Sequence, residues 1–78
     1  MHRKRKALDE RERYEKVMSL PPNAMLSIAE TSQLLGCSIR QIYNMMDDRR
    51  LRYEPPTPRR PHRRIRGVHV REAYLTTT

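Results

Sequence analysis

With 78 residues, 36% of them hydrophobic and neither Trp nor Phe, the chain has room for one small domain with a thin core. A formal charge of +8 points to a polyanionic partner, nucleic acid ahead of an anionic membrane. A single Cys excludes an internal disulfide and fits a reducing cytoplasm, the charged start does not read as a signal peptide, and no stretch approaches the ~20 apolar residues of a membrane span.

The charge is unevenly placed: +3 over residues 1–20, −2 over 21–48 and +7 over 49–78. Every Lys lies at or before Lys16; beyond it the cations are all Arg, which suits phosphate forks and narrow minor grooves better than Lys does.

In chain order, His2 to Lys6 is a basic tip, and Ala7 to Leu20 reads as a helix. It carries i,i+4 pairs of opposite sign at Asp9–Arg13, Arg11–Glu15 and Glu12–Lys16, and Pro21-Pro22 stops it. Its narrow apolar face (Ala7, Tyr14, Val17, Met18) suits docking on the domain or on another copy; Tyr14, Val17 and Met18 are the candidate protein–protein contacts. Residues 1–22 thus read as a basic N-terminal helix with its Pro-Pro stop, and residues 23–78 as the domain.

Ser27 caps the next helix, with Glu30 completing a capping box, and Ile28, Thr31, Leu34 and Leu35 share one face until Gly36 ends it. After the turn Gly36-Cys37-Ser38, a second helix runs from Ile39 to about Asp48. Its apolar positions Ile39, Ile42, Tyr43 and Met46 follow i, i+3, i+4, i+7, leaving Arg40, Gln41, Asn44 and Asp47 outward. Leu51 and Tyr53 alternate around Arg52 as a short strand, EPPTPRRPHRR forms a Pro/Arg loop, and Ile65 starts a return strand. Gly67 opens a last helix over about Val68–Leu75, with Val70, Tyr74 and Leu75 inward.

A helix, a short Gly-containing turn and an amphipathic second helix are the parts of a DNA reader. Arg pairs with guanine O6/N7, and Asn or Gln with adenine N6/N7, so Arg40, Gln41 and Asn44 are the candidate base readers. Ser27, Ser38, Tyr43, Arg49 and Arg50 are placed for the DNA backbone, where a helix N-terminus also favours an anion. The loop's Arg59, Arg60, Arg63, Arg64 and Arg66 are the candidate contacts of a wing in the flanking minor groove. Pro55, Pro56, Pro58 and Pro61 limit the loop's conformations and so the entropy lost on ordering it.

The run Leu26–Leu51, LSIAETSQLLGCSIRQIYNMMDDRRL, resembles the excisionase-type helix-turn-helix, related to the MerR regulators. The matching pieces are Leu26-Ser27, Leu34-Leu35-Gly36, Cys37-Ser38, Ile42-Tyr43 and Leu51, followed by Arg63-Arg64-Ile65 and Glu72-Ala73-Tyr74-Leu75, so that the resemblance covers about residues 26–75. It implies a mainly α fold: a winged helix-turn-helix with a short β-hairpin wing, here with an extra N-terminal helix. It also implies a recombination directionality factor, without enzymatic activity, in the cytoplasm of a bacterial host and on the nucleoid when bound. Such a factor binds the arms of an attachment site cooperatively on double-stranded DNA, bends it, and directs an integrase toward excision. The alternative is a small transcription regulator on the same module, although the chain lacks the long C-terminal coiled coil of a dimeric MerR activator. A basic RNA-binding protein fits less well, since the chain is poor in aromatic stacking groups. Where the family has Gly after the second helix this chain has Arg49, which costs about 1 kcal/mol or more if the position takes positive φ.

No cofactor, metal or small-molecule ligand is expected. Cys37, His2, His62 and His69 lack the paired spacing of a zinc site. Asp47 and Asp48, adjacent on a helix, point in different directions and so do not form a nuclease metal site. Met45-Met46 reads as core packing.

Overall fold

The computed structural model describes residues 9–77, the side chain of Thr77 excepted. The basic tip from His2 to Lys6, and Ala7, lie outside the described residues. Four helices and one two-stranded antiparallel sheet follow in the order α1 (Glu10–Met18), β1 (Met25–Leu26), α2 (Ile28–Leu35), α3 (Ile39–Asp47), β2 (Ile65–Arg66) and α4 (Gly67–Thr77). None of the described helices is long and apolar enough to cross a membrane.

The first helix is shorter than the sequence pattern suggests. Asp9 caps it, its carboxylate accepting from the Glu12 N–H at 2.8 Å. Of the charge pairs expected on its surface, Arg11–Glu15 closes at 3.3 Å between exposed groups, which is worth little. The helix packs on the rest of the chain. Val17 is completely buried in the core, Met18 packs against that core, and the Tyr14 ring lies 6.3 Å from the Tyr74 ring of α4. Arg71 of α4 adds a hydrogen bond to the Met18 carbonyl at 3.1 Å. Of the two uses left open for this face, docking on the domain is the one seen, and the expectation of an intermolecular contact is corrected for Val17, whose side chain is wholly inside, while Met18 is half-buried against the core. Tyr14 alone of the three stays exposed.

The chain then turns at Pro21-Pro22 and runs extended into β1, which pairs with β2 in the register Met25↔Arg66 and Leu26↔Ile65. The same segment caps α4. The N–H groups of Gly67 and Val68 donate to the carbonyls of Ala24 (2.8 Å) and Pro22 (3.2 Å), satisfying donors that a helix N-terminus otherwise leaves orphaned. The approach is so close that a Cβ on Gly67 would collide with the Pro21 carbonyl oxygen.

The core gathers one or more residues from every element: Val17, Leu26, Leu34, Ile42, Met45, Met46, Leu51, Ile65, Val70, Ala73 and Tyr74. Thr31 and Ser32 are buried with them, their hydroxyls satisfied by the Ser27 and Ala29 carbonyls of their own helix. On α4 the inward set is Val70, Ala73 and Tyr74. Leu75, expected inward, is 56% exposed, because Ala73 and Tyr74 lie three and four residues beyond Val70 and Leu75 falls off that face.

The strand expected at Leu51–Tyr53 does not form. Leu51 is buried and its N–H is committed to the Met45 carbonyl (3.2 Å), as part of the cap on α3. Pairing starts only at Glu54, which forms an isolated antiparallel bridge with Arg64. The prolines at 55, 56, 58 and 61 bring no N–H donors with which to extend that ladder. Ile65 instead finds its partner in Leu26.

Two left-handed residues close the central helices. Gly36 (φ 68) ends α2 and Arg49 (φ 61) follows α3, the one non-Gly residue with positive φ among those described. At both ends the hydrogen bonds are those of a Schellman motif: Cys37 N–H to Ser32 O and Gly36 N–H to Gln33 O, then Arg50 N–H to Met45 O and Arg49 N–H to Met46 O.

Two substitutions test this framework. Gly67→Ala should destabilise the fold by about 2 kcal/mol or more in urea denaturation, since backbone and not a flexible side chain must yield; an unchanged midpoint would mean the seam between Pro21 and α4 is loose. Arg49→Gly should stabilise by about 1 kcal/mol, by relieving the left-handed strain, and a loss of stability would show that the Arg49 side chain contributes more than its backbone costs.

Candidate nucleic-acid interface

The turn Gly36-Cys37-Ser38 joins two helices that each begin with a capping box. At α2, Ser27 Oγ accepts from Glu30 N–H (3.1 Å), and the Ser27 N–H donates to Glu30 Oε1 (2.9 Å). That backbone N–H first, then the Ser27 hydroxyl, and to a smaller degree Arg64, hold the Glu30 carboxyl below its ordinary range. At α3, Ser38 Oγ accepts from Gln41 N–H (3.1 Å) and the Ser38 N–H donates to Gln41 Oε1 (3.0 Å). Arg13 of α1 braces the turn from outside, its guanidinium 3.0 Å from where a Cβ on Gly36 would sit.

The two caps alter the expected set of base readers. Gln41 uses its side-chain carbonyl on the helix end, so it is a capping residue first. Arg40 and Asn44 are exposed, one turn apart, and their side chains have no partner among the described residues. The apolar stripe of α3 is also rotated from the one expected. Ile42, Met45 and Met46 are buried, whereas Ile39 and Tyr43 are 48% and 42% exposed. Four residues apart, Ile39 and Tyr43 form a row of their own beside Arg40 and Asn44.

The arm after α3 sorts its arginines into two kinds. Arg59 and Arg60 are exposed at the tip, in a tight turn where the Thr57 N–H donates to the Arg60 carbonyl (2.7 Å) and the Arg60 N–H to Thr57 Oγ1 (3.0 Å). Arg63 instead turns back. Its guanidinium carbon lies 5.4 Å from the Tyr43 ring centre and 5.0 Å from that of Tyr53, and one of its nitrogens is 3.6 Å from Met46 Sδ. Arg66 pairs with Glu54 at 3.3 Å across the base of the arm. Arg64 is half-buried, its backbone held by the bridge to Glu54. Arg63 and Arg66 thus have partners within the fold, Arg63 on the two tyrosine rings and Arg66 in a part-exposed ion pair, unlike Arg59 and Arg60 at the tip. Before the arm, Arg50 is paired with Asp48 at 3.2 Å, while the side chains of Arg49 and Arg52 are exposed without a partner among the described residues.

Sequence reasoning missed the Arg63 clamp. The signal available was two tyrosines, Tyr43 and Tyr53, on either side of an arm rich in Arg; which of its arginines they hold depends on the register of the arm.

Between α3 and the arm lies an open cleft of about 540 Å³, with Ile28, Ile39, Tyr43 and Pro61 along it and Ser27, Arg63 and Arg64 at its edge. Among the described residues its lining has no carboxylate, unlike the groove between α1 and α2, which carries Glu15 and Glu30. No three of the described His, Cys, Asp and Glu residues gather where a metal ion could be held. Burial pushes the Cys37 thiol up, away from its reactive thiolate form.

Replacing Arg63 by Lys retains the charge and removes the guanidinium that lies over both rings. We expect stability to fall by about 1 kcal/mol and the ring resonances of Tyr43 and Tyr53 to move together in the NMR spectrum. If the Tyr43 ring does not respond, Arg63 is not what holds the arm to α3. Comparison with protein-family models, curated proteins and solved structures finds no match to the chain, so a functional reading has to rest on this geometry and on the sequence pattern.

Proposed function

We propose that the chain is a sequence-specific double-stranded DNA-binding protein of the excisionase type, built as a winged helix-turn-helix in which α3 reads the major groove and the Pro/Arg arm is the wing. It has no enzymatic activity: it binds attachment-site arms in the bacterial cytoplasm, bends them, and directs an integrase toward excision. One observation carries the DNA-binding reading: Arg40 and Asn44 stand outward on α3 with no side-chain partner among the described residues, beside an arm whose tip presents Arg59 and Arg60 to solvent. Ordinarily such a polar row on a small domain is merely wet. Here it is flanked by a positive arm held against the same helix, the charge a polyanionic ligand requires. The choice of an excisionase among DNA-binding proteins is supported by the resemblance over residues 26–75.

Footprinting on attachment-site DNA, with a promoter fragment and random duplex as controls, tests the proposal. Several adjacent protected sites in one arm, filled cooperatively, are the expected outcome. A single protected dyad at a promoter would replace excision by transcriptional regulation, and equal protection of every fragment would remove sequence specificity altogether. Arg40→Ala and Asn44→Ala should each weaken specific binding by about 1–3 kcal/mol while leaving binding to random duplex unchanged. Equal losses on both would mean that neither side chain reads a base.

A further inference from the structure

Core packing does not explain the exposed pair Ile39 and Tyr43: the core takes its α3 contacts from Ile42, Met45 and Met46, and the Arg63 contact accounts for Tyr43 only in part and for Ile39 not at all. Nor is the pair explained by hydrogen-bond readout, which Arg40 and Asn44 supply from the neighbouring row. The pair faces the cleft of about 540 Å³ shared with the arm, where Ile28 and Pro61 extend the apolar surface and Arg63 and Arg64 bring positive charge to a lining that holds no carboxylate, the Glu30 carboxylate near Arg64 lying outside it. An occupant that suits this cleft is anionic on one side and presents an apolar group on the other. The major-groove edge of DNA meets both requirements: the phosphates carry the charge, and the C5-methyl of thymine is the one apolar group that the base edges display there. Ile39 is also the first residue of α3, and residues at the N-terminal end of a reading helix reach base edges most directly.

Resting on the DNA-binding reading above, we infer that the Ile39–Tyr43 row is a thymine-methyl reader, so that the site this chain prefers contains one or two thymines recognised by their methyl groups. The polar row then recognises hydrogen-bonding edges, the apolar row recognises methyls, and the two act on adjacent base pairs. Arg63, stacked on Tyr43, fixes the ring that forms one wall of the methyl contact.

The experiment starts with the full chain and a pool of random-sequence duplexes, from which the preferred duplex is selected. That duplex is remade with deoxyuridine replacing thymidine at one A·T pair at a time, which removes the methyl and leaves every hydrogen-bonding group in place. At one or two positions the wild-type chain should bind the deoxyuridine form about fourfold more weakly, the worth of one buried methyl group. Ile39→Ala should bind the two forms within twofold of each other, with an unchanged thermal melt by circular dichroism, since Ile39 contributes little to the core. Specific binding with no position sensitive to the methyl would overturn this inference and leave the DNA-binding reading standing. Equal sensitivity in Ile39→Ala would likewise overturn it, by assigning the effect to duplex shape. Failure to select any preferred duplex would overturn both.

Discussion

The backbone of residues 21–26 is the constraint on which the rest of this structure depends. One short segment does two things: it pairs with β2, and its carbonyls cap α4. Through the first it fixes where the arm returns to the domain, and through the second it fixes where the last helix starts. Both need the backbones to come within contact distance, and Gly67 is the residue that permits it. With no Trp or Phe to fill a large core, a small chain gains from such backbone contacts, because each satisfies polar groups that burial would otherwise leave unpaired.

The arginines show why composition alone overstates the charge open to a ligand. Nine of them lie beyond residue 48, yet Arg63 is held between two tyrosine rings, Arg66 and Arg50 are in ion pairs, and Arg71 bonds the end of α1. These groups still contribute to the long-range field, but their geometry serves the fold. The side chains open for direct contact are fewer, among them Arg40, Arg59 and Arg60. The charge-rich arm is thus anchored at its base and presents its free cations at the tip.

Local signals were legible wherever one residue type has one physical use. Ser27 with Glu30, Gly36 and Ser38 placed the ends of the central helices to within a residue or so. Positive φ at Arg49 was raised only by the resemblance, whose family has Gly at that position, since nothing in the residue itself signals the turn. Non-local choices were not legible. Nothing near Ile65 says that its partner is Leu26 and not Tyr53, because pairing across a long loop is set by what the prolines forbid and by what the core has room for. The α3 stripe was misjudged by one row for a related reason: Ile39, Ile42, Tyr43 and Met46 fit a helical period as well as Ile42, Met45 and Met46 do, and only the packed neighbours decide. Gln41 was assigned to base reading because its amide suits adenine, while the cap at Ser38 competes for the same atom.

The seam between β1 and β2 also bears on the order in which the chain assembles. Met25 and Arg66 are paired although 41 positions apart, whereas the α2–α3 pair is built from neighbours in sequence. Closing the longer loop costs chain entropy before any of its contacts repays it, so the helix pair is the natural nucleus and the seam the late step. Since α4 has its N-terminal cap in that seam, the last helix and the extended segment before α2 should gain and lose their protection from solvent exchange as one cooperative unit.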